Sequence, residues 1–251
     1  MDKYVIKRTP TGIPGLDELI EGGFIENDSI LIAGSTGTGK TTFALQFLYY
    51  GAKELDEPGI YVTFEEMPQT VRQDMYRYGW DFEKLEKNNK LAFLDACSTR
   101  TGVKTDEKYV LSGIGFEEMI TEIAKIVGEI DARRLVLDSL TTWTMQYKYE
   151  WEIRKEILRL VSFLKELGVT SLLLTEMPEG SNQISKYGIE EFVARGVIVL
   201  YYRRSGIEMR RYLLVRKMRG TKHASKFYAM DITDTGIQVY PYDTIYQDGE
   251  I

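Results

Sequence analysis

The run Gly34-Ser35-Thr36-Gly37-Thr38-Gly39-Lys40-Thr41 fits the pattern G-x-x-x-x-G-K-[ST], and its residue types define a chemistry. Glycines let a loop fold its backbone N–H groups around an anion, and a helix starting at the loop adds the positive end of its dipole. The lysine then reaches the outer phosphates of a nucleoside triphosphate, and the Ser/Thr hydroxyl can hold Mg2+. All eight residues, with Thr42 behind them, are therefore candidate phosphate contacts, and Thr41 is a candidate metal ligand. Asp138, which ends the apolar run Leu135-Val136-Leu137, is the second candidate on the metal side. A carboxylate at the C-terminal end of a buried strand can hold a metal-bound water beside the phosphates. Thr63-Phe64-Glu65-Glu66 follows another apolar run, where a carboxylate can orient and polarise an attacking water. Glu65 and Glu66 are both candidates for that role, with Glu66 preferred. No Asn-Lys-x-Asp motif is present to read guanine, since Asn89-Lys90-Leu91-Ala92 lacks the acid. ATP with Mg2+ is the expected ligand.

Charge is distributed unevenly. The formal net charge is −6, yet the segment from Arg203 to Lys222 carries eight basic residues and one acid, Glu208. An acidic body with one concentrated basic segment implies that the segment faces anions, on a ligand or on a neighbouring subunit. Nothing in the glycine loop supplies an arginine for charge developing on a γ-phosphate. A strand through residues 215–219 would put Lys217 and Arg219 on one face and Met218 on the other.

Composition closes several alternatives. One cysteine (Cys97) and one histidine (His223) cannot form an internal disulfide or a Cys/His zinc site, so any metal must sit on oxygens. No Gly-x-Ser-x-Gly elbow accompanies the single histidine, which excludes the usual acyl-transfer triads. The N-terminal residues Met1 to Arg8 lack a signal-peptide apolar stretch, and no run approaches the length of a membrane span. A cytoplasmic protein away from membranes is expected.

These groups need a scaffold. Short apolar runs at 30–33, 60–64, 91–94, 135–137, 171–174 and 197–201 read as buried strands. Helix-period segments at 42–54, 69–78, 116–130 and 152–167 separate most of them. Strands apolar on both faces and linked by helices predict an α/β fold, a mostly parallel sheet covered by helices on both sides. After Val197 the pattern changes, and Ser205-Gly206 predicts antiparallel hairpin strands at the sheet edge. At 251 residues without a linker or repeat, a single domain over 1–251 is expected.

With these residues in view, the sequence resembles the KaiC branch of the RecA-like ATPases, most closely the first ATPase domain of the branch's two-domain clock proteins. The resemblance spans nearly the whole chain. It rests on Thr11-Gly12-Ile13-Pro14-Gly15-Leu16-Asp17, the glycine loop, Phe64-Glu65-Glu66, Tyr78-Gly79-Trp80-Asp81, Val136-Leu137-Asp138-Ser139-Leu140, Tyr187-Gly188-Ile189-Glu190-Glu191-Phe192 and Lys217-Met218-Arg219-Gly220-Thr221-Lys222-His223. It implies a RecA-like P-loop core assembled as a hexameric ring, with ATP at each subunit interface. In that assembly Lys217 and Arg219 would reach the γ-phosphate held by the adjacent subunit, with Met218, Thr221 and His223 lining the same interface. Glu65 and Glu66 would serve the hydrolytic water, Thr175-Glu176 would act as a sensor near the nucleotide, and Thr233 and Asp234 would add nucleotide contacts. The chain holds one such domain, not two. Glu190-Glu191-Phe192 also stands where the second clock domain has its phosphorylated hydroxyl pair, so autokinase activity is not expected.

Two functional classes follow. One is an ATP-hydrolysing ring whose nucleotide state switches its contacts with a protein partner. The other is a DNA-binding recombination or repair accessory using the loops at 140–150 and 176–188. The second loop sets Glu176 and Glu179 against Lys186 alone, poor for phosphate neutralisation. Trp143, Tyr147, Tyr149 and Trp151 could stack on bases, but their place beside an amphipathic helix points to core or interface packing. The protein-partner class is favoured over nucleic acid; a non-hydrolysing scaffold and a kinase acting on a partner rank below both.

Overall fold

A computed structural model describes residues 5–178 and 183–244. Met1 to Tyr4, at the start of the segment read for a leader, and Glu179 lie outside the described residues. A short ribbon of β1 (Arg8–Thr9) and β2 (Phe24–Ile25) encloses α1 (Leu16–Leu19). The chain then alternates strand and helix: β3 (Ser29–Gly34), α2 (Lys40–Glu54), β4 (Gly59–Thr63), α3 (Pro68–Tyr76), α4 (Phe82–Lys87), β5 (Leu91–Asp95), α5 (Cys97–Thr101), β6 (Tyr109–Val110), α6 (Phe116–Ile130) and β7 (Arg134–Asp138). It continues through α7 (Leu140–Thr144), α8 (Glu150–Glu166), β8 (Thr170–Glu176) and α9 (Glu190–Val193), and ends in β9 (Gly196–Ser205), β10 (Glu208–Met218), β11 (Phe227–Thr233) and β12 (Gly236–Thr244).

Ten strands form one sheet in the order β12-β11-β10-β9-β3-β8-β7-β4-β5-β6. From β9 through β6 neighbours run parallel, while β9 to β12 pair antiparallel. The expected mostly parallel sheet with an antiparallel C-terminal edge is present. The edge is larger than the hairpin read from Ser205-Gly206, because β11 and β12 extend it. Their alternation carries polar residues on the open face, which blurs the apolar-run signal.

Why the parallel strands read as continuous apolar runs is plain from the register. Ile30, Ile32, Val136, Leu172, Leu174, Ile198 and Leu200 face one core with Phe43 and Phe47 of α2. Their alternates Leu31, Ala33, Leu135, Leu137, Leu173, Val197 and Val199 face a second core with α6 and α8. Side chains alternate across a strand, so a sheet covered on both sides needs apolar residues at every position. Several boundaries differ from the sequence reading. α2 begins at Lys40, α8 at Glu150, and β4 ends at Thr63, which leaves Phe64 in the turn that follows.

The Thr11 to Asp17 motif is structural. Asp17 accepts from the Thr11 backbone N–H at 3.0 Å, Gln46 Nε2 donates to the Gly12 carbonyl at 2.9 Å, and Val239 N–H donates to the Pro14 carbonyl at 2.9 Å. Gly15 sits at φ +81, and a Cβ there would stand 2.1 Å from the Val239 carbonyl oxygen. That neighbour is backbone and cannot swing aside. Gly15→Ala should cost about 2–3 kcal/mol or more and lower Tm by roughly 5–10 °C, measured by thermal unfolding; an unchanged Tm would contradict this packing.

Candidate nucleotide site

β3 delivers the loop and α2 receives it. Gly37 and Gly39 take φ 75 and 97, left-handed values that glycine adopts without a steric penalty. Gly39 also packs under the β11–β12 turn, where a Cβ would come 3.0 Å from Ile232 Cδ1. Because α2 starts at Lys40, both Lys40 and Thr41 occupy its first turn, where N–H groups are free to meet an anion. Lys40 Nζ donates to the carbonyls of Gly34 at 2.8 Å and Ser35 at 3.0 Å. Thr38 is buried and donates its hydroxyl to Ser35 O at 2.8 Å, so it offers a ligand its main chain only. Thr42 is buried as well.

One strand, β8, separates β3 from β7, which brings Asp138 to the loop. Its Oδ2 accepts from Thr41 Oγ1 at 2.9 Å and from the Tyr61 hydroxyl at 2.7 Å. Burial pushes the Asp138 carboxyl up to about 6, with the Tyr61 and Thr41 hydrogen bonds pulling the other way. Burial likewise lowers the Lys40 ammonium, opposed by Asp138, Glu176 and Glu65. The Tyr61 hydroxyl is driven up by burial and by Asp138, which keeps it a donor. A hydroxyl and a carboxylate in contact beside a loop of free amides is a hard oxygen set, suited to Mg2+ next to phosphates.

The Glu65-Glu66 pair leaves the end of β4, between β7 and β5. Ser139 Oγ donates to Glu65 Oε1 at 2.5 Å, and Thr142 Oγ1 bonds the same oxygen. Oε2 of Glu65 has no protein partner among the described residues. Glu66, preferred from the sequence, has no such hydrogen bond to its carboxylate among the described residues, and burial, then Asp74 and Glu65, raise its carboxyl.

The basic tail splits the predicted site in two. β10 runs antiparallel to β9, and β9 parallel to β3, so Gly34 is level with Leu200 and Leu213, whereas Met218 is level with Gly196 and Ile30. Lys217, Met218 and Arg219 therefore lie at the opposite end of the sheet from the glycine loop, about 13 Å away along the strands. A bulge between Val215 and Lys217 and the end of β10 at Met218 break the regular alternation expected over 215–219. Lys217 Nζ donates to the carbonyls of Glu191 at 2.9 Å and Ala194 at 2.6 Å; burial, then Arg219 and Arg195, lower its pKa. Arg219 is exposed. Thr221 accepts from Arg8 at 2.7 Å, and His223 Nδ1 lies 2.8 Å from the Ala224 carbonyl. Thr233 is on the loop's own end, in a cavity of about 300 Å³ with Gln46, Tyr49, Tyr50 and Trp80, and Asp234 follows it in the turn.

Residues 9–244 match the family described as ATPase: KaiC. The chain belongs to the KaiC family of ATPases. It is 39% identical over 240 residues to the circadian clock oscillator protein KaiC of Synechococcus elongatus, covering 96% of this chain and 45% of that protein. The KaiC of Rippkaea orientalis is also 39% identical, over 94% of this chain and 44% of its own length. The chain thus spans about half the length of these curated relatives. The crystal structure of a KaiC-like protein from the hyperthermophilic archaeon Pyrococcus horikoshii OT3 superposes with a TM-score of 0.82 at 45% identity, covering 94% of this chain and all of that one. The RecA-like core expected from the KaiC resemblance is therefore the fold.

Other groups around the KaiC-type site were less legible. Thr175 is buried, with its hydroxyl 3.1 Å from that of Thr141, and Glu176 N–H donates to Thr141 Oγ1 at 3.0 Å. Arg211 was missed: its Nε donates to the Gly37 carbonyl at 3.1 Å and its guanidinium lies 4.4 Å from the Tyr202 ring. The signal was the basic segment, but nothing in it marked which arginine faces the loop. The four aromatics divide between the core and the surface. Trp143 is buried and Tyr147 packs on the second core, whereas Tyr149 and Trp151 are more than half exposed and stacked, centroids 6.5 Å apart. They precede or open α8 on its solvent side. Among the described residues no helix is long and apolar enough to cross a membrane.

Proposed function

We propose that the chain hydrolyses ATP in a hexameric ring with Mg2+, each nucleotide held by the Gly34 to Thr41 loop of one subunit and completed by Lys217 and Arg219 of the next. The observation that carries this reading is the strand register: two cations placed at the far end of the sheet cannot serve their own subunit's loop. A head-to-tail interface, repeated to closure, brings one end of a subunit against the other end of its neighbour. Thr41 and Asp138 would hold the Mg2+, which supplies charge neutralisation to the phosphates when bound. Lys40 and the loop amides bind and orient the phosphate chain, Thr233 and Asp234 lie toward its base end, and Arg211 steadies the loop through Gly37. Thr221 and His223 line the receiving face. Glu65 accepts the proton side of a water with its free Oε2 while Ser139 and Thr142 fix the other oxygen. The acidic stretch Glu190-Glu191 offers no hydroxyl, which supports hydrolysis over self-phosphorylation. The nucleotide state then switches contacts with a protein partner in the cytoplasm.

The test is steady-state phosphate release from MgATP across protein concentrations, with and without single-stranded DNA. Turnover per subunit should rise with concentration and then plateau, since a subunit alone lacks the cations that complete its site; a flat dependence down to monomer would overturn the shared site. The exposed Tyr149–Trp151 stack favours a second reading, base stacking on DNA, and strong salt-sensitive stimulation by the oligonucleotide would promote it.

A further inference from the structure

The turn that carries Glu65 is gripped from both neighbouring strands. On the β7 side Phe64 N–H donates to the Asp138 carbonyl at 2.8 Å, and Ser139 and Thr142 hold the Glu65 carboxylate. On the β5 side three consecutive carbonyls accept from α5 and the residue that caps its start. Ala96 N–H meets Thr63 O at 2.9 Å, Arg100 Nη1 meets Phe64 O at 2.6 Å, and Cys97 Sγ meets Glu65 O at 3.4 Å. That element, α5, is itself pinned: Asp95, wholly buried at the end of β5, accepts from Ser98 N–H at 2.9 Å and from the Ser98 hydroxyl.

We propose that Arg100 is a positioning residue for ATP hydrolysis, fixing the Phe64 carbonyl so that Glu65 presents its carboxylate in one orientation. A charged donor to a carbonyl is stronger than the thiol beside it, so Arg100 is the principal side-chain clamp on this side of the turn. It is exposed, and its removal leaves both hydrophobic cores intact. The inference rests on Glu65 as the water-orienting group.

The experiment compares Arg100→Ala, Arg100→Lys, Glu65→Gln and the Arg100→Ala/Glu65→Gln double variant in the full chain. Displacements near 1 Å at a reacting group cost about 10²-fold. Arg100→Ala should therefore lower kcat by roughly 10–100-fold with KM and the Kd for a fluorescent ATP analogue unchanged, and Arg100→Lys should recover part of the loss. Amide exchange in residues 64–67 should quicken in Arg100→Ala while the sheet stays protected. In the Glu65→Gln background Arg100→Ala should add nothing. Normal kcat in Arg100→Ala, a change in KM with kcat preserved, or a full additional loss in the double variant would overturn the proposal. If Glu65→Gln alone turned over normally, the Glu65 assignment would fail; a slowed Arg100→Ala would then place the clamp on Glu66, and a normal one would end both.

Discussion

Arg219→Ala should lower phosphate release per subunit by about 10³-fold or more, the scale of an arginine supplied in trans to a phosphoryl-transfer site. The same variant should keep nucleotide affinity close to wild type, because its own glycine loop, Lys40, Thr41 and Asp138 are untouched. Lys217→Ala should behave alike, with some loosening of α9 and the residue that ends it, since Lys217 binds the Glu191 and Ala194 carbonyls. The decisive form is a mixing experiment. Lys40→Ala inactivates the loop half of a subunit and leaves its Arg219 half intact, and Arg219→Ala does the reverse. In equal mixture with free exchange, about a quarter of head-to-tail interfaces join an intact loop to an intact arginine. Activity should return to roughly that fraction of wild type although each variant alone is inert. A site completed within one subunit predicts no recovery, and so does any contact in which Arg219 only stabilises its own fold.

How far the sequence led depended on whether a function lies in local spacing. The glycine loop was legible because strand, turn and helix are contiguous, and Asp138 because a carboxylate ending an apolar run is a local signal. The parallel sheet was legible because burial on both faces removes the alternation that would otherwise confuse strand with loop. β11 and β12 were obscured by the opposite condition, one solvated face. The division of the basic segment was hidden for a different reason. Arg211 and Arg219 are eight residues apart in one run, yet register sends one to the loop and the other to the far end of the sheet, with a bulge near Arg216 shifting the count. Core and interface packing read alike for Trp143, Tyr147, Tyr149 and Trp151, and only the start of α8 decides which of the four turn outward.

Glu65→Gln should reduce turnover by about 10²–10⁴-fold, the usual range for loss of a positioned general base, with Glu66→Gln retaining most of the wild-type rate. The two residues are adjacent and equally acidic, so the distinction is one of restraint rather than charge. Glu65 Oε1 is fixed by Ser139, the N-cap of α7, and Thr142 within α7, directly after Asp138 at the end of β7, and a fixed carboxylate orients a water without reorganising in the transition state. Glu66 lacks such a hold on its carboxylate, and burial, then Asp74 and Glu65, raise its carboxyl. Gln at position 65 keeps the shape and one acceptor for the two hydroxyls, so Tm and nucleotide Kd should hold while kcat falls. Thr142→Val should then show a smaller loss in kcat, because Ser139 still grips the same oxygen. The reverse result, with Glu66→Gln inert and Glu65→Gln active, would transfer the water to Glu66 and leave the Ser139 and Thr142 contacts as a helix cap on α7, which Ser139 already supplies by accepting from Thr142 N–H at 3.2 Å.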